Sequence, residues 1–77
     1  MMTLDEVRPG DKAIIEPLRG LGKERRLLDL GIIPGTEVEV IASHPFHGPI
    51  VVRVSGTAVA VGRGLARAIP VRLCGRD

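Results

Sequence analysis

Aromatic side chains are nearly absent from this chain: Phe46 stands alone, with no Tyr and no Trp. The core must therefore be assembled from Val, Ile, Leu and Ala. That favours β-strands, where branched side chains pack well on a pleated surface. The same shortage removes the platforms on which single-stranded nucleic acids stack. The net charge of +2, with acidic and basic residues interspersed, gives no concentrated basic stripe. Nucleic acid is accordingly not an expected partner. Cysteine is scarce too. Cys74 is solitary and nearly terminal, which excludes an internal disulfide framework and fits a reducing compartment. No run approaches the roughly 18 consecutive apolar residues of a membrane span, and the start MMTLDEVRPGDKA lacks the apolar core of a signal peptide. The expectation is a cytoplasmic protein that is not itself inserted in a membrane.

What the chain does have is apolar content, 44% of 77 residues, arranged in short runs separated by turn chemistry. A length of this order corresponds to one domain, residues 1–77, burying only about two-thirds of the surface its unfolded form exposes. Thr3 to Val7 reads as a helical turn with Thr3 as N-cap and Glu6 three positions on. Arg8-Pro9-Gly10-Asp11 reads as a turn, because Pro presets its own φ and Gly accepts positive φ. Lys12 to Glu16 is the first predicted strand. Further strands are expected at Ile50 to Val54 and Thr57 to Val61, flanking the two-residue hairpin pair Ser55-Gly56, and at Pro70 to Leu73, with Pro at a strand start. RGLARAI, residues 63–69, suggests a short helical turn.

The densest signal is RRLLDLGIIPGTEVEV, Arg25 to Val40. The spacing predicts a helix of about two turns, residues 23–30, with Leu27 and Leu30 on an apolar face, Leu28 beside them, and Arg25 and Arg26 facing outward. Gly31 supplies a left-handed cap. Ile33-Pro34-Gly35-Thr36 fits a type II turn, with Pro second and Gly third. In the strand that follows, TEVEVIAS, Val38, Val40 and Ala42 share one face and Glu37, Glu39 and Ile41 the other. A short helix is thus docked back onto the next strand. Five or six short strands and this one helix point to a mainly β fold, a small SH3-like barrel whose closure hides apolar edges.

With these elements in view, Arg26-Leu27-Leu28-Asp29-Leu30-Gly31-Ile32-Ile33-Pro34-Gly35-Thr36-Glu37-Val38 closely resembles the hallmark segment of the FeoA family of bacterial ferrous iron uptake. Leu4 with Val7-Arg8-Pro9-Gly10, Pro45 with Gly48-Pro49-Ile50, Gly56-Val59-Ala60, and Ala66, Ile69 and Val71 are similar to its flanking motifs. Where the family commonly carries a basic residue after the second hairpin strand this chain has Gly62, with Arg63 next to it. The resemblance implies an SH3-like barrel that associates with the cytosolic GTPase part of the membrane transporter FeoB. It also implies a relation to the SH3-like domain of iron-dependent repressors, and hence an alternative reading as a metal-binding or metal-sensing module.

Several residues are candidates for function. Arg25, Arg26 and Asp29 form a helix face that is either solvated, with an Arg25 to Asp29 pair, or a partner contact. Asp29 lies in the last turn, against the negative end of the helix dipole, which favours a cation nearby. Phe46 either closes one end of the barrel, the reading preferred here, or anchors a partner. His44 and His47, three apart, read as ordinary loop residues. Weak or adventitious divalent metal binding is their alternative, since a tetrahedral site wants three or four ligands. No cofactor is expected to be required. Neither GxxxxGK[ST] nor GxGxxG is present, and no Ser, Thr, His or Cys has an activating neighbour in sequence, so the expectation is a non-enzymatic accessory module. Weak self-association through exposed barrel edges is left open.

Overall fold

The structure is a computed structural model that describes residues 2–17, 22, 24–44, 46 and 48–74. Its strands are β1 (Met2–Thr3), β2 (Lys12–Ile15), β3 (Glu37–Ser43), β4 (Ile50–Val54), β5 (Thr57–Val61) and β6 (Pro70–Leu73). The helices are α1 (Glu24–Asp29) and α2 (Arg63–Ala66), with a 3-10 turn at Leu4–Glu6. The strands form one antiparallel sheet in the order β1-β6-β2-β3-β4-β5. β1 and β5 end the ladder without pairing to each other.

The expected turns are present for the expected reasons. Asp11 N–H donates to the Arg8 carbonyl at 3.0 Å, with Gly10 at φ 94°. The same pattern recurs where Thr36 N–H donates to the Ile33 carbonyl at 3.0 Å, with Gly35 at φ 88°. Both bonds close a Pro-Gly turn of type II character. Ser55 and Gly56 take φ of 50° and 81° between paired Val54 and Thr57, the left-handed pair that a two-residue hairpin demands. Thr3 N–H donates to Glu6 Oε1 at 2.8 Å, one arm of the expected capping box.

Two features differ from the sequence reading. β1 is an extra, two-residue strand held by the pairs Met2 to Val71 and Thr3 to Pro70; nothing periodic can show in two residues. The strict alternation assigned to β3 breaks at a bulge between Val40 and Ala42. Ala42 pairs with Val51, whereas Val40 pairs with Val52, so Ala42 leaves the inward face of Val38 and Val40 and joins the outer face. A one-residue insertion reverses every later side chain.

The inward faces make a dry core. Ala13, Ile15, Val38, Val40, Ile50, Val52, Val54, Val61 and Val71 come from the sheet, and Leu4, Val7, Leu27, Ile32, Ala66 and Ile69 from the connections. No polar or charged residue is buried among those described.

Candidate functional site

The candidate residues lie on two connections that flank β3. The first joins β2 to β3. Leu27, fully buried, fixes α1 to the core, and Leu30 packs half-buried against it. The helix ends as the sequence predicts: Ile32 N–H donates to the Leu27 carbonyl at 2.8 Å and Gly31 N–H to the Leu28 carbonyl at 2.9 Å, with Gly31 at φ 83°. This nested pair is a Schellman motif, and Ile32, also fully buried, joins Leu27 in the same hydrophobic core. The following turn is bonded into β2, since Gly35 N–H reaches the Ile15 carbonyl at 2.7 Å and Ile15 N–H the Thr36 carbonyl at 2.9 Å.

On this frame Arg25, Arg26 and Asp29 are all exposed. The Arg25 to Asp29 pair is not formed: the ion pairs resolved among the described residues are Arg53 to Glu39 at 3.1 Å and Arg72 to Glu16 at 3.2 Å. Leu28, expected beside the apolar face, is half exposed, as is Ile33. The surface around α1 is therefore mixed, two guanidinium groups and a carboxylate next to apolar side chains. Lys23, the expected first residue of the helix, lies outside the described residues.

The second connection joins β3 to β4 and carries Phe46. Its ring is 84% exposed, so it does not close the barrel, which corrects the preferred sequence reading. The buried core is made by Val, Ile, Leu and Ala side chains from the inward sheet face and the connections, without Phe46. His44 is exposed, His47 and Pro45 lie outside the described residues, and no group of three or more His, Cys, Asp or Glu is poised for a metal among the described residues.

Sequence reasoning missed how this connection is held. Arg63, at the start of α2, donates through Nη2 to the His44 carbonyl and to Ser43 Oγ at 3.4 Å, while its Nε is buried without a hydrogen-bond partner. The positive group beside Gly62 thus braces the end of β3. Gly48 closes over the same place: an added Cβ would lie 2.5 Å from His44 Cβ.

The two surfaces are apart. A Cβ at Gly31 would approach Val54 Cγ1 at 3.9 Å, and Val54 pairs with Val38, so α1 ends near the beginning of β3. Phe46 follows the other end, where Ser43 pairs with Ile50. The seven residues of β3 span about 20 Å at a rise of about 3.3 Å per residue.

Cys74 offers little chemistry. Its thiol points to Glu37 Oε2 at 3.6 Å, and partial desolvation, followed by the Glu37 charge, pushes it above the ordinary thiol range. The thiolate that nucleophiles and metal ligands require is disfavoured.

The fold defines a small SH3-like β-domain. The model of the FeoA domain matches residues 2–73, and the chain belongs to that family. A protein of Methanocaldococcus jannaschii provisionally named Fe(2+) transport protein A is 33% identical over 72 residues, 92% of this chain and 85% of that one. An Fe(2+) transport protein A/Fe(2+) transporter FeoB fusion protein of Porphyromonas gingivalis is 33% identical over 73 residues, 94% of this chain but 9% of the fusion. Among solved structures, a FeoA described as an iron uptake regulatory protein is 38% identical with a TM-score of 0.84, covering 96% of this chain and 100% of the other. The zinc-complexed FeoA of Stenotrophomonas maltophilia, described as an SH3 domain protein, is 31% identical with a TM-score of 0.78, covering 94% and 91%. A manganese-dependent transcriptional repressor complexed with manganese is 28% identical with a TM-score of 0.82, over 95% of this chain and 36% of the repressor.

Proposed function

We propose that this chain is a cytoplasmic accessory protein of ferrous iron uptake that docks on the cytosolic GTPase part of a FeoB-type transporter. The observation that carries this reading is the Porphyromonas gingivalis fusion, in which a stretch matching 94% of this chain is joined to FeoB. Covalent joining keeps two modules at high effective concentration, which serves modules that work in contact. The chain supplies no chemistry of its own and requires no cofactor. It acts by binding one conformation of the transporter better than another and so shifting their populations. Arg25, Arg26 and Asp29 provide the charged contacts, on a helix whose cap and turn reduce the ordering cost of binding. Phe46 provides an apolar anchor.

Titration against the transporter's cytosolic domain tests this. Arg26→Glu with Asp29→Lys leaves the fold intact, since exposed substitutions usually shift stability by no more than about 0.5 kcal/mol, and weakens binding about tenfold or more, roughly 1.4 kcal/mol. Wild-type affinity in this variant with loss in Phe46→Ala moves the interface to the far end of β3. Absence of binding by the unmodified chain overturns the reading.

The zinc-complexed and manganese-complexed neighbours favour a second reading, a metal-binding module using His44 and His47. A stoichiometric divalent-metal site lost in His44→Ala with His47→Ala supports it. Unchanged metal titration in that variant removes it.

A further inference from the structure

The two ends of the sheet are built differently. β1 is two residues long, the Thr3 N–H is taken by Glu6, and the chain leaves at once into a 3-10 turn; that edge is blunted in the way soluble proteins blunt edges. β5 has none of these devices. Its five residues, Thr57-Ala58-Val59-Ala60-Val61, carry no charge and no Pro, and its ladder to β4 runs without a bulge.

The hairpin fixes which backbone groups are free. Val54 and Thr57 close a two-residue turn and therefore exchange hydrogen bonds; with the alternation of an antiparallel ladder, so do Val52 with Val59 and Ile50 with Val61. The N–H and C=O groups of Ala58 and Ala60 then point away from β4. Both residues are exposed, and among the described residues no other backbone partner takes these groups.

We propose that this edge pairs with the same edge of a second copy, as an antiparallel β5 to β5 ladder about a twofold axis at Val59. Ala58-Val59-Ala60 reads the same in both directions, so Ala58 faces the partner's Ala60 and Ala60 the partner's Ala58, each pair exchanging both backbone bonds. Such an interface is isologous and closes at two copies. The charge distribution selects a second copy over a charged peptide: the uncharged strand offers a charged partner nothing, while self-pairing brings no like charges together. The nearest charge on the outer face is Arg53, opposite Ala58 and already paired with Glu39 at 3.1 Å. The twofold axis sets the two Arg53 side chains three strand spacings apart, about 14 Å, beyond the screening length of about 8 Å in physiological salt. The alanine side chains are too small to obstruct the approach, and they extend the apolar strip of Val51, Ala42 and Ile41 on that face.

Sedimentation equilibrium from micromolar to about millimolar concentration decides it. The unmodified chain passes from monomer to dimer with rising concentration. Ala58→Lys with Ala60→Lys sets lysines opposite each other and weakens the dimer at least tenfold. Ala58→Lys with Ala60→Glu sets Lys against the partner's Glu and keeps it. In the unmodified chain, concentration-dependent amide shifts and exchange protection at residues 57–61 report the same pairing without any substitution. A monomer throughout the range, a larger assembly, or a dimer that survives the double-lysine change overturns the proposal.

Discussion

The connections at the two ends of β3 are held by different means. Between β2 and β3, two fully buried side chains, Leu27 and Ile32, and a chain of backbone bonds fix α1 and its turn. Between β3 and β4, the contacts resolved are a side chain from elsewhere in the sequence, Arg63, and the close approach of Gly48 to His44. Burial of apolar area is non-directional and accumulates, whereas a guanidinium hydrogen-bonded at the surface has water as a competing partner. The first connection is thus part of the core. The second is attached to it.

The difference can be broken most forcefully at Leu27. Leu27→Ala removes a fully buried anchor and costs about 2–5 kcal/mol, enough to unfold a small domain; a loss below about 1 kcal/mol in denaturant titration shows that α1 is not part of the core. Gly48→Ala is next. Its Cβ would lie 2.5 Å from His44 Cβ, so the connection must shift, costing about 1–3 kcal/mol in denaturant titration. Gly31→Val costs at least about 1 kcal/mol through backbone strain, since Gly31 sits at φ 83° while its Cβ would meet Val54 Cγ1 only at ordinary contact distance, 3.9 Å. In a chain of this size that lowers Tm by several degrees, and an unchanged Tm rules out the left-handed cap. Arg63→Ala has the smallest effect on global stability, about 1 kcal/mol or less. It loosens the Phe46 connection, seen as faster amide exchange at residues 44–49 with α1 unaffected; uniform exchange across both connections erases the contrast.

The first connection was legible because its signals are local. Leu27, Gly31, Pro34 and Gly35 act within a few residues of themselves, through a helical face, a positive-φ cap and a preset turn. The same holds for the Ser55-Gly56 hairpin and for the Pro9-Gly10 turn. Phe46 shows the limit. The scarcity of large side chains argued for packing it inside, but Val, Ile and Leu from many distant positions fill the core without it, and no local pattern records that sum. Arg63 shows the limit from the other side: nothing near it in sequence says that it will brace Ser43 and His44.

By itself the sequence determined the mainly β class, the positions of five strands to within a residue or so, the capped helix and the turns, because each follows from preferences of φ, ψ and burial within short windows. Tertiary structure alone decided the strand order, the bulge that turns Ala42 outward, the pairing of Met2 and Thr3 with β6, and which edge of the sheet stays open. Those outcomes depend on register between segments far apart in the chain, where a shift of one residue reverses which side chains meet the core.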